Sequence, residues 1–288
     1  MPEDMAIHKA GSGARLRHDI RAKTARALLL STELDSARVE RGFTTRRLAE
    51  LMTMSPAMIN RIVNGRRIPD ALELGGLCAL LDIPPRRREH LYGLRRESED
   101  MNWVIHATPS TRDPDDVVSS LWSLADGITT YATSVTGPRA PGGSGGSTAP
   151  ASPGHHGDTV WTRYVSAEAI ERAPYELGTQ ELRLARLARF DGIRIVPRTT
   201  PPLLQHPVRV LYFRTFPPVA VLDLDFTTVI LEKDSAARYV DSLRRIADSA
   251  LSTGDSRQVL SSLWGEFDRG GDRRSPTPQP GTTENPGG

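Results

Sequence analysis

Residues 137–158 read GPRAPGGSGGSTAPASPGHHGD. A stretch of Gly, Pro, Ser and Ala cannot bury enough apolar surface to offset the entropy of ordering it, so it reads as a disordered linker. It divides the 288-residue chain into a folded block near 24–136 and a second near 159–268. Residues 1–23 are polar without a sustained period, and 269–288 resemble the linker in composition. Both read as flexible ends. No internal repeat is present.

Composition removes several classes of protein. Cys78 is the single cysteine, so an internal disulfide and a Cys-based zinc cluster are excluded. No run approaches the ~18 apolar residues of a membrane span. The early run Ala27–Leu30 is too short for a signal peptide and follows several charges. The expectation is a cytoplasmic protein. Residues 1–100 hold 18 Lys/Arg against 14 Asp/Glu, and the remainder 19 against 21, so the positive half is N-terminal. Only Lys9, Lys23 and Lys233 are lysines among 37 basic residues. Arginine makes bidentate contacts to phosphate and guanine that lysine cannot.

The first block reads as helices. Thr32–Arg41 is one, with Gly42 as its terminator. Thr44 can cap a second over 45–52, and Ser55-Pro56 opens a third that runs to Val63 and stops at Asn64-Gly65. Pro69-Asp70 starts a fourth through Leu81, and Arg86–Glu97 forms a fifth. A further helix is expected at Ser119–Tyr131, within a connecting helical segment over 101–136.

The second and third helices are separated only by Thr53-Met54. In a twenty-residue window from Thr45 to Asn64, the fourth and fifth residues are Leu48 and Ala49, and the fifteenth and eighteenth are Ile59 and Ile62. A small residue at the fifth position lets two helices cross closely, and the branched residues close the corner over it. Burial of Ile59 and Ile62 turns Ala57, Asn60, Arg61 and Asn64 to the opposite face. Such a face fits a major groove.

The stretch Gly42–Asp70, GFTTRRLAELMTMSPAMINRIVNGRRIPD, resembles the XRE-type (Cro/phage-repressor-like) helix-turn-helix family, and the five-helix extent covers 32–97. The resemblance implies a transcriptional regulator that binds double-stranded DNA, nucleoid-associated when bound. It implies that Thr45, after the capping Thr44, meets a backbone phosphate. Ser55, Pro56, Ala57 and Met58 would open the recognition helix, with Asn60 and Arg61 toward base edges. Asn64, Arg66 and Arg67 would hold the sugar-phosphate backbone. Arg61 can donate two parallel hydrogen bonds to guanine; its plainer reading is a solvated helix arginine. Asn60 could read adenine or touch a phosphate. The sequence departs from the family at Thr53, where a turn glycine is usual, and a β-branched residue there at positive φ costs about 1 kcal/mol or more. Pro56 and Ala57 stand where many relatives hydrogen-bond to bases, so direct readout rests on few residues.

The second block begins with a helix capped by Ser166 and another over Thr179–Arg189. Strands follow at Ile193–Val196, Val208–Phe213, Val219–Leu224 and Thr227–Leu231, then helices at Ser235–Leu251 and Asp255–Trp264. The expected architecture is a mostly α five-helix domain (24–100) and a small α+β domain (159–268) joined by the Gly/Pro/Ser linker. The segments LRLARLARFDGIRIVP and ARYVDSLRRIADSALSTGDSRQVL are similar to a C-terminal domain of unknown function in actinobacterial regulators, the WhiJ-like or antitoxin-like group. Here that domain is shortened after Tyr131.

Useful specificity normally requires two half-sites, hence a homodimer. The alternative reading is an antitoxin-like protein whose C-terminal block binds a small acidic partner while DNA binding serves autoregulation. An enzyme is the third class; no P-loop, Gly-x-Gly-x-x-Gly, His-Glu-x-x-His or Gly-x-Ser-x-Gly supports it, and no cofactor or metal is expected. Arg86-Arg87-Arg88 reads as a basic first turn, with a DNA contact as the alternative, Cys78 as a small core residue, and His155-His156 as a weak metal pair at most. Asp223 and Asp225 share a strand face, where solvated residues are far commoner than a pair that does acid–base work or binds a metal. Trp103, Trp122, Trp161 and Trp264 read as core or interface anchors.

Overall fold

The computed structural model describes residues 21–106, 114–133, 159–176, 192–200, 203–224 and 227–271. The linker with His155-His156, the helix expected at 179–189, Asp225 and the side chain of Trp264 lie outside the described residues.

Five helices come first: α1 (Ala25–Glu40), α2 (Thr45–Leu51), α3 (Pro56–Val63), α4 (Ala71–Leu80) and α5 (Pro85–Arg96). Helix α1 starts seven residues before the expected Thr32, because Thr24 caps it by accepting the Ala27 N–H. Four of these helices stop in the same way. Gly42, Thr53, Gly65 and Asp82 each take positive φ, at 69°, 54°, 68° and 48°. After each, paired backbone hydrogen bonds return to the helix, as in Gly65 N–H to Ile62 O and Arg66 N–H to Arg61 O. This double closure satisfies carbonyls that the helix end would otherwise orphan. Thr53 is thus the strained turn residue that its sequence position implies.

A seven-stranded sheet follows, ordered β1-β7-β6-β5-β2-β3-β4. Its strands are β1 (Trp103–His106), β2 (Gly127–Ala132), β3 (Val160–Ser166), β4 (Ile193–Val196), β5 (Val208–Tyr212), β6 (Val219–Leu224) and β7 (Thr227–Leu231). β2, β3 and β4 run parallel, and the other neighbours are antiparallel. Helices α6 (Pro114–Leu124), α7 (Ala167–Glu176), α8 (Lys233–Ser249) and α9 (Thr253–Gly271) complete the described chain.

The expected helix over Ser119–Tyr131 is corrected: it ends at Leu124, and Gly127–Ala132 is strand β2. Asp126 makes the break. Its N–H donates to Tyr212 O at 2.8 Å, and its carboxylate accepts the Arg214 N–H at 2.6 Å, which turns the chain into the sheet. The segment 101–133 therefore contributes β1, α6 and β2 rather than a helical connection. β2 pairs directly with β3 from beyond the linker, with Ile128 opposite Trp161 and Tyr131 opposite Tyr164.

Strands β5 and β6 are buried on both faces, which is why they read as near-continuous apolar runs. One face carries Ile128, Leu211, Val219, Val221 and Ile230, in the same core as α6 and the helices of the N-terminal half. The other carries Val208, Val210, Ala220 and Leu222 beneath Val240, Leu243 and Ile246 of α8. One apolar core thus runs from the helix-turn-helix into the sheet. Trp103 sits in it, with the Arg26 guanidinium 4.3 Å above its ring. Trp122 and Trp161 meet edge to face at 5.2 Å, and Arg209 lies over Trp122. Arg209 is 1% exposed and holds Asp223, which also accepts from Thr228. Asp223 is thus a structural counter-ion. Arg163, deeply buried, has its pKa lowered to about 10 by desolvation.

Candidate nucleic-acid interface

The helix pair α2–α3 is set by its caps. Thr44 Oγ1 accepts the Arg47 N–H at 3.1 Å, and Ser55 Oγ accepts the Met58 N–H at 3.2 Å, with Pro56 at the first helical position. Leu48, Ala49, Ile59 and Ile62 are each at most 1% exposed and lie in one core cluster. The corner read from the sequence is therefore present. Val63 is buried with them.

With that side fixed, α3 presents Pro56, Ala57, Asn60 and Arg61 outward, and Met58 is half-buried. Helix α3 carries no acidic side chain. Thr44 and Ser55 are exposed, and Thr45 is half-buried at the start of α2.

Asn64 is not on the outward face: it is 5% exposed. Its Nδ2 donates to Asn60 Oδ1 at 3.1 Å. This bond orients Asn60 from behind and leaves the Asn60 amide hydrogens directed elsewhere. Asn64 thus holds the Asn60 side chain in place. Residues 21 and 22 pack over the end of α3, with the Arg21 N–H donating to Asn64 O at 2.9 Å and Ala22 against Gly65, a contact that helical spacing alone does not anticipate.

The two loop arginines differ. Arg66 is exposed. Arg67 is half-buried, and its Nη2 donates to Glu73 Oε1 at 2.8 Å; that bond, chiefly, raises the guanidinium pKa. Glu73 Oε2 also accepts the Asp70 N–H, and Asp70 Oδ1 accepts the Glu73 N–H, a capping box on α4. Arg67 thereby braces the loop against α4.

Two exposed arginines escaped the sequence reading. Arg46 and Arg47 stand in the first turn of α2, next to Thr45, each within 3.6 Å of Glu50. Consecutive cations at a capped helix start were the available signal. In the basic turn of α5, Arg87 approaches Glu33 of α1 and Arg88 donates to Ile83 O, so these two tie α5 to its neighbours. Cys78 is 1% exposed, and burial pushes its thiol pKa up. Among the described residues, no helix is long and apolar enough to cross a membrane, and no group of three His, Cys, Asp or Glu could hold a metal ion.

Comparison with known families agrees with this geometry. A model of a helix-turn-helix domain matches residues 29–91, and a model of a domain of unknown function, DUF5753, matches residues 163–262. No curated protein matches the chain.

Proposed function

From a chain that carries a helix-turn-helix domain and a DUF5753 domain, we propose a sequence-specific DNA-binding transcriptional regulator that acts as a homodimer. One observation carries the reading. An acid-free helix, pinned to α2 through buried Ile59 and Ile62, turns Asn60 and Arg61 outward together. In this reading α3 enters the major groove, Arg61 donates to guanine O6 and N7, and Asn60 meets a base edge or phosphate. Thr45, Arg46, Arg47 and Arg66 meet the backbone, with the N-termini of α2 and α3 supplying oriented N–H groups. Arg67 acts through the loop rather than on phosphate. Helix α3 spans eight residues, so one copy reads few base pairs and two half-sites are required.

Selection of tight binders from a random duplex pool tests this. The reading requires enrichment of an inverted repeat whose half-sites lie about one helical turn or a multiple apart. No enriched motif would overturn it, and enrichment of a single unrepeated site would overturn the homodimer.

A further inference from the structure

Of the four side chains that α3 exposes, Pro56, Ala57, Asn60 and Arg61, only the last two can hydrogen-bond. Asn60 carries an ambiguity that Arg61 lacks. A half-turn about its terminal torsion exchanges Oδ1 for Nδ2, so a free asparagine presents an acceptor or a donor to its partner. The structure removes that freedom. Asn64 lies one helical turn further on, where side chains four residues apart are neighbours. Its Nδ2 donates to Asn60 Oδ1 at 3.1 Å, so the oxygen of Asn60 faces the protein. Asn64 is itself held from two sides. Its backbone N–H donates to Asn60 O, and its carbonyl accepts the Arg21 N–H at 2.9 Å.

This arrangement costs stability. Asn64 is 5% exposed, and its Oδ1 is buried and meets no donor among the described residues. A buried carbonyl oxygen without a partner destabilises a fold, and an apolar side chain of similar size would occupy the position without that loss. The backbone there, at φ −98° and ψ 10°, does not call for asparagine. Folding alone therefore does not account for an amide at this position, whereas holding Asn60 does.

We propose that Asn64 is a positioning residue for sequence reading. Without touching DNA, it fixes Asn60 with its Nδ2 hydrogens outward, to donate to an acceptor on a base edge. In the major groove, purine N7, guanine O6 and thymine O4 are such acceptors. Released from Asn64, Asn60 divides between two amide orientations and must be ordered on binding, so its discrimination between base pairs falls. The inference rests on the DNA-binding reading.

Fluorescence-anisotropy titration tests it, with the duplex that the wild type selects from a random pool and with every single base-pair variant of that duplex. Asn60→Ala flattens the preference at one base pair. Asn64→Leu, which keeps the size and loses the donor, lowers the preference at that same base pair by about fivefold and leaves the one set by Arg61 in place. Asn64→Ala, which cannot crowd the site, does the same. The double variant Asn60→Ala with Asn64→Leu matches Asn60→Ala alone, since both remove one contact. In the free wild type, the Asn64 side-chain amide hydrogens exchange slowly with solvent. Preference that survives both Asn64 variants overturns this inference and leaves the DNA-binding reading standing. So does flattening of every base pair together, the mark of a structural role, or fast exchange of the Asn64 amide. A wild type without any base preference overturns both.

Discussion

The carboxylate of Glu232 accepts the backbone N–H of Ala25 at 2.8 Å, joining residues 207 positions apart. Glu232 lies between β7 and α8, and Ala25 is the first residue of α1. A side chain of the sheet domain thus caps the helix on which the helix-turn-helix is built. The contact is reinforced on both sides. The Glu232 N–H donates to Asn102 Oδ1 at 2.8 Å, and Thr24 Oγ1 donates to Ser98 O. Arg26 reaches Asp100 O and Glu97. The N-terminus of α1 is therefore anchored in the sheet domain.

Glu232→Ala removes this cap and is expected to lower unfolding stability by about 1–2 kcal/mol, the usual range for a lost helix cap. Chemical denaturation checks the value. Glu232→Gln keeps an acceptor for Ala25 and separates charge from hydrogen bonding. Burial, the dominant cause, raises the Glu232 pKa above the ordinary carboxylate range, against opposing effects of Ala25, Arg26 and Lys233. Its contribution to stability is full below the unfolded-state pKa and is lost as pH rises through the raised folded value. The wild type should therefore gain stability relative to Glu232→Gln on acidification through that window. A gap that does not vary with pH would contradict the assignment.

Thr53 holds φ 54°, in the left-handed region that β-branched residues avoid. Thr53→Gly should raise the melting midpoint, with a gain of about 0.5–1 kcal/mol after the entropic cost of glycine. Gly65→Ala should do the reverse. At φ 68° an added Cβ would lie 3.0 Å from Ser31 Oγ and 3.1 Å from Ala22 Cβ, so a loss of about 1–3 kcal/mol is expected. Thermal unfolding of the two variants side by side gives shifts of opposite sign.

These two turns mark how far the sequence could be read. The caps Thr44 and Ser55, the stop at Gly65 and the buried quartet Leu48, Ala49, Ile59 and Ile62 are local signals, separated by no more than a few turns of helix. β6 and β7 were legible for a similar reason: their β-branched and apolar runs are bounded by short breaks, and the structure bears out the expected ends at Val219–Leu224 and Thr227–Leu231. β1 and β3 were missed. β1 has only four residues, and β3 mixes Trp161, Arg163 and Tyr164 without simple alternation. β2 was read as helix because Ser119–Leu124 carries helical spacing up to Asp126, whose clamp on Tyr212 and Arg214 involves residues more than 80 positions away. Within the candidate interface, Asn64 is covered by the distant residues 21 and 22, and the Arg67–Glu73 brace depends on the loop conformation; periodicity encodes neither.

The brace makes its own prediction. Arg67→Ala and Glu73→Gln should each cost about 1 kcal/mol of stability, a modest figure because the Arg67 side chain is 31% exposed. Their effects should not add in the double variant, since both remove one interaction. A double-mutant cycle by urea unfolding measures the coupling, and full additivity would contradict the brace.

Cys78 should resist modification. Its thiol is buried and its pKa raised, so a water-soluble aromatic disulfide reagent should react with native protein only at the rate of unfolding. Fast native-state labelling would contradict this placement.

The central claim is that Arg61 reads a base while Arg66 holds the backbone. Fluorescence-anisotropy titrations of the full chain, Arg61→Ala and Arg66→Ala on the upstream region of its own gene and on a scrambled duplex, across several salt concentrations, test it most directly. The wild type should prefer the upstream duplex. Arg61→Ala should lose about 1–3 kcal/mol on that duplex and little on the scrambled one. Arg66→Ala should weaken both alike and lower the salt slope by about one unit. Equal losses on the two duplexes from Arg61→Ala, or no sequence preference in the wild type at any salt concentration, would contradict the account.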